Sequence, residues 1–183
     1  MNRITVAVAI EYASNRNCTG LAPATIATLE AAVAFLNVER RSDFVLAYCN
    51  ANLSKAMRPQ EAESKKSEIL RRLLKYSVER VVVEAGNSIE EAKNIHNALA
   101  EKSMEPRKIV IFCDIQHERR LRVIWPHVFP GTEIEIRHGR YIYGGDYKQI
   151  FLRNQFTWCL ANVGGLVAMK LFGIDRVASI KEP

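Results

Sequence analysis

The stretch Arg80-Val81-Val82-Val83-Glu84-Ala85-Gly86-Asn87-Ser88-Ile89-Glu90-Glu91-Ala92 changes its period halfway along. Residues 80–84 are a short β-branched run of strand length. Asn87 then stands as a helix N-cap, with Glu90 three residues later in capping-box spacing. Glu90 and Glu91 fall in the first turn, where the positive helix terminus favours acids. A strand feeding directly into a capped helix is half of a βαβ unit. The same passage recurs on both sides. Upstream, 4–10 and 43–48 read as buried strands, each followed by a helix, at 23–37 and 59–76. The first of these helices carries Ile26, Leu29, Ala32, Val33 and Leu36 at helical spacing. Downstream come a helix at 88–102, a strand at 108–113, a helix at 115–125, a strand at 132–137 and an apolar helix at about 146–173. This alternation predicts a Rossmann-like three-layer α/β/α fold with a mostly parallel five-stranded sheet, one domain over 1–183. Val6, Val8, Val45, Val82, Val110 and Phe112 are expected to be nearly inaccessible.

The 183 residues carry 26 Lys+Arg against 20 Asp+Glu, a net charge of +6. A balance of that size permits an anionic ligand without naming one. Nucleic-acid binding is not expected, because the basic run at 119–122 has no aromatic platform beside it. Cys18, Cys49, Cys113 and Cys159 are too widely spaced for a zinc knuckle or redox dithiol, so free thiols and no metal site are expected. Met1-Asn2-Arg3 leads straight into a strand-like run, and the longest uncharged stretch, Asn154 to Met169, is short for a membrane span. A cytoplasmic protein with no membrane span is the expectation.

Right-handed crossovers put every strand-to-helix junction at one edge of a parallel sheet, where ligands bind. The junctions to inspect are therefore 10–22, 48–60, 84–88 and 113–118. At 84–88 two readings stand side by side: Asn87 and Glu90 as plain caps, or Asn87, Ser88 and Glu90 facing a ligand. At 113–118, Asp114 can cap the fourth helix, which places His117 in its first turn and Arg120 beside it. An imidazole and a guanidinium next to helix amides suit a phosphate or carboxylate. The helix terminus and the arginine disfavour the imidazolium, so His117 is expected to be neutral near pH 7 and to act as an acid or base. The alternative is a solvated basic face, since Arg119, Arg120 and Arg122 form a run. His96, His127 and His138 read as surface or packing residues. Gly144-Gly145 reads as a turn.

Asn87-Ser88-x-Glu90-x-Ala92 after the third strand and His117-x-x-Arg120 after the fourth resemble motifs of the YdcF/SanA/ElyC-like family of bacterial proteins, also called domain of unknown function 218. Leu21 to Ala32 is similar to that family's first helix, and Glu61-Ala62 to its Glu-Ala helix start, although Glu63 fits almost as well. The likeness covers about residues 4–140. It implies a ligand site made of Asn87, Ser88, Glu90, His117, Arg120 and Glu61, and an S-adenosylmethionine-like ligand or cofactor. The family's glycine-rich turn is replaced here by Ile10-Glu11-Tyr12-Ala13-Ser14 and its Ser-Gly-Gly turn by Ala47-Tyr48-Cys49-Asn50. Thr28 stands in place of an arginine, and Cys113-Asp114 in place of Thr-Ser. Side chains at the former glycines narrow a crevice.

Two functions follow as expectations. One is a small-molecule-binding protein whose ligand is nucleotide-like or anionic. The other is a structural or partner-binding protein that kept the fold and lost the ligand. The segment Phe156 to Phe172 has Lys170 as its only charge, too apolar for a helix with one wet face. It is either sandwiched inside the fold or buried, with Gly164-Gly165, against a second copy in a homodimer.

Overall fold

The computed structural model describes residues 2–12, 14–52, 57–139 and 154–178. In chain order these form β1 (Asn2–Ala9), α1 (Pro23–Glu39), β2 (Phe44–Ala51), α2 (Pro59–Leu73), β3 (Glu79–Ala85) and α3 (Ser88–Glu101). There follow β4 (Met104–Cys113), α4 (Glu118–Val128), β5 (Glu133–His138), α5 (Gln155–Phe172) and α6 (Ile174–Ala178). The Gly144-Gly145 turn and the part of the expected last helix at 146–153 lie outside the described residues.

The five strands pair in parallel throughout, in the order β3-β2-β1-β4-β5. Successive side chains of a strand point to opposite faces, and the core divides accordingly. Ala7, Ala9, Leu46, Tyr48, Val110 and Phe112 pack with Leu29, Val33, Leu36 and Leu70 of α1 and α2. Val6, Val8, Val45, Ala47, Ile109 and Ile111 pack with residues of α3, α4 and α5, among them Ile95, Leu121, Trp125 and Trp158. The fold is a three-layer α/β sandwich. Chain order reverses direction at β1: β2 lies on one side of it and β4 on the other. A crevice between the carboxyl ends of β1 and β4 is the topological switch point of such a sheet.

Three local expectations need correction. Val6, Val8, Val45, Val110 and Phe112 are buried, but Val82 is 39% exposed. β3 is an edge strand whose inward residue is Val81, and Val82 lies on its opposite side. β4 starts four residues earlier than expected because Pro106, which has no N–H to donate, is accommodated by a bulge: Ile4 faces Pro106 and Thr5 faces Lys108. α4 begins at Glu118, with His117 at its N-cap position rather than inside the first turn, and runs on through Pro126. Asp114 does not cap α4 directly. It closes the turn ahead of it, its carboxylate accepting the Gln116 amide (2.8 Å) while its carbonyl accepts that of His117 (3.0 Å).

Candidate functional site

The junction after β3 folds as its sequence dictates. Asn87 Oδ1 accepts the amides of Ile89 and Glu90, both at 3.0 Å, and Glu90 Oε2 accepts the amide of Gly86 at 2.8 Å. Both side chains are thereby used in holding the start of α3. Ser88, the first residue of that helix, is held differently: its Oγ lies 3.1 Å from His117 Nε2, joining the openings of α3 and α4 across the switch point. Arg120 is half-buried one turn beyond His117, with its guanidinium against α5; a Cβ added to Gly165 would lie 3.4 Å from it. Glu61 is exposed in the first turn of α2, and no hydrogen bond or ion pair joins it to these groups among the described residues. Four of the six residues singled out from sequence therefore cluster at the α3 and α4 openings around Ser88 and His117; Arg120 flanks them, and Glu61 stands apart.

Around His117 the hydrogen bonds fix the proton's place. The ring is only 2% exposed and meets Tyr12 and Trp158 edge-on, at centroid distances of 5.7 and 5.3 Å. Burial, with Arg120 adding to it, lowers its pKa to about 3, so the imidazole is neutral. Tyr12 Oη accepts the Asp114 amide at 2.7 Å, and burial holds its phenol proton on well past the usual range. That O–H needs an acceptor. His117 Nδ1, at 3.4 Å, supplies one. A neutral imidazole then carries its proton on Nε2 and donates it to Ser88 Oγ. The opposite tautomer would leave the buried Tyr12 proton without a partner. Ser88 is consequently an acceptor from His117 and keeps its own O–H for a further partner. It is not a nucleophile that this histidine can deprotonate. Trp158 closes the arrangement, its Nε1–H donating to Asp114 Oδ1 at 2.9 Å. Burial raises the pKa of the Asp114 carboxyl.

A second cluster borders the first. Lys66, 1% exposed, donates to Glu11 Oε2, to Cys49 O and to Asn50 Oδ1, the last at 3.1 Å. Three donors meet three acceptors, so the buried ammonium is satisfied. Asn50 and Tyr48 in turn donate to Glu63, at 3.2 and 2.9 Å. Of the two glutamates the family likeness left open, Glu63 is the one that reaches inward. Glu91 is 3% exposed, with Oε1 accepting the Glu11 amide at 3.4 Å. Burial and then the neighbouring Glu11 carboxylate raise its pKa to about 8.

Sequence reasoning missed Glu11, Tyr12, Lys66, Glu91 and Trp158. For Glu11 and Tyr12 a signal existed: two large polar side chains follow an apolar strand where a glycine-rich turn would leave room for a ligand's phosphates. Tyr12 N donates to Thr25 Oγ1 and the Thr28 hydroxyl to Ile10 O, both at 2.9 Å, so this turn is filled and fastened to α1. Lys66 carried no signal, being one polar residue in a helix of them. Among the described residues no group of three or more His, Cys, Asp or Glu is placed to hold a metal ion, and no helix is long and apolar enough to cross a membrane. Among the described residues no cysteine is in a disulfide, and Cys49 and Cys113 are buried. Comparison with known proteins finds no matching family model, no matching curated protein and no matching solved structure.

Proposed function

We propose that the chain is a small-molecule-binding protein whose ligand sits at the carboxyl edge of the sheet, between the ends of β1 and β4, and carries an anionic or nucleotide-like group. One observation carries the reading: the Ser88 hydroxyl is oriented by a buried, neutral His117 at the point where strand order reverses. Desolvated ionisable groups gathered at such an edge mark functional sites. Ser88 offers its O–H to the ligand, and Arg120 supplies positive charge nearby. Asn87 and Glu90 set the α3 opening rather than touch the ligand. Because Glu11 and Tyr12 occupy the turn after β1, the anionic group belongs at the α3 and α4 openings. His117 serves the ligand through Ser88, which it orients, since the ring itself is shielded. S-adenosylmethionine is one candidate by the family likeness.

A thermal-shift panel of nucleotides, S-adenosylmethionine and phosphosugars tests this. A ligand at 100 times its Kd adds about 2.7 kcal/mol, or roughly 5–10 °C in Tm for a chain of this size. Ser88→Ala should lose that shift while its unliganded Tm stays near the parent's. A panel without a single stabilising compound would overturn the reading.

The partner-binding alternative is favoured by a separate observation on α5. Phe156, Leu160, Val163, Val167 and Leu171 are each 44–70% exposed and fall at spacings of four, three, four and four, one continuous face. Gly165 of the expected close-packing pair is used internally against Arg120, while Gly164 meets nothing within 4 Å. A homodimer through this face predicts a dimer mass by light scattering for the parent and a monomer mass for Val163→Glu/Val167→Glu. A parent that is monomeric at every concentration rules it out.

A further inference from the structure

At the opposite, amino edge of the sheet lies a cleft of about 460 Å³, lined by Arg3, Arg40, Arg41, Asp43, Tyr76 and Glu79 among others. That volume falls within the range of small-molecule pockets. Its carboxylates are already matched. Asp43 accepts two hydrogen bonds from Arg41, at 3.0 and 3.1 Å, and one from Arg107 at 2.6 Å, which together hold its carboxyl below the usual range. Glu79 is paired with Lys102 at 2.9 Å.

The remaining two arginines are not matched. The Arg40 side chain donates only its Nε–H, to Asn37 O at 3.0 Å, and its terminal nitrogens bond nothing among the described residues. The Arg3 side chain makes no hydrogen bond or ion pair there, not even with Glu105, its register neighbour on β4. Arg40 also occupies the left-handed C-cap of α1 at φ 47°, a position glycine fills with less strain. The fold thus holds a guanidinium in an unfavourable backbone conformation at the cleft's rim. Tyr76 gives the cleft a fixed aromatic wall, its hydroxyl donating to Leu36 O at 2.7 Å.

We infer that this amino-edge cleft is a second binding site, which takes a small ligand bearing a phosphate or diphosphate group between Arg3 and Arg40. Guanidinium pairs suit planar or tetrahedral oxyanions. The site is independent of the carboxyl-edge reading, on the far side of the sheet.

Calorimetric titration of the full chain with inorganic pyrophosphate at low ionic strength tests it. The parent should show one saturable site. Arg3→Ser/Arg40→Gly should weaken it at least about tenfold. Glycine suits the φ of residue 40, so that variant is expected to fold as well as the parent. Arg119→Ser, an exposed arginine on α4, and Ser88→Ala should both bind as the parent does. Absence of saturable binding, or parent-like binding by the double variant, overturns the inference. So does an equal loss in Arg119→Ser, which would make the effect one of net charge. Loss in Ser88→Ala would put the anion at the carboxyl edge instead.

Discussion

His117 and Glu91 are both shut away from water, and burial moves them in opposite directions. The histidine falls to about 3 from 6.5, so its contribution to stability is complete above pH 6.5 and is lost as pH drops towards 3. The glutamate rises to about 8 from 4.5, so its contribution is complete below pH 4.5 and is lost as pH climbs through 8. Each slope is about 1.4 kcal/mol per pH unit, and between 4.5 and 6.5 the two oppose each other. Urea unfolding at stepped pH should therefore show a plateau near pH 4.5–6.5 with losses on both sides. Glu11 and Asp114 are shifted in the same sense as Glu91, so each adds a loss of stability that begins as pH rises through the ordinary carboxylate range. Glu91→Gln should remove roughly 2 kcal/mol of the parent's loss between pH 6.5 and 8. Equal alkaline losses in the two proteins would mean that Glu91 is not buried as a neutral acid. The sequence contained the Ser88–His117 half of this site because caps and strand-to-helix junctions are local patterns. The Glu11–Lys66–Glu91 half joins the turn after β1 with α2 and α3, and no local pattern announces such a meeting.

At the scale of elements, α3 and α5 invite opposite substitutions. Asn87 Oδ1 satisfies two amides at the start of α3, so Asn87→Ala should cost about 1 kcal/mol, or 2–4 °C in Tm. A variant as stable as the parent would mean that other groups satisfy those amides. In α5, Gly164 faces open space, and alanine there should add up to about 1 kcal/mol by helix propensity alone. Unfolding measured at low concentration checks that gain. Light scattering then separates the cases, because a Gly164 packed against a second copy would make the added methyl weaken association. The sequence reading placed α1 to α5 but not the short α6, and it ended α4 at 125, ahead of Pro126, where the helix runs on to Val128. A proline in the last turn gives up one hydrogen bond at an exposed carbonyl, a small loss beside the burial of Leu121, Ile124 and Trp125.

For the whole molecule, the parallel sheet and its layers were legible, though not the order of its strands, because parallel strands covered on both faces must be apolar throughout, and β1, β2 and the end of β4 are. Val82 was misjudged for the same reason in reverse: a β-branched residue has the same look in an edge strand as in a central one. Val110, by contrast, is fully buried on β4 between its α1-side neighbours. Val110→Asp would bury a carboxylate with no partner and should abolish soluble expression. Soluble, cooperatively unfolding Val110→Asp protein would contradict the central place of β4. That central place also sets how the chain reaches its fold. β1 pairs on one side with β2 and on the other with β4, where Val6 meets Ile109 across about a hundred intervening residues. Until β4 has left the ribosome, β1 keeps an open, apolar hydrogen-bonding edge, and closing it is a long-range step of the kind that slows folding and invites aggregation.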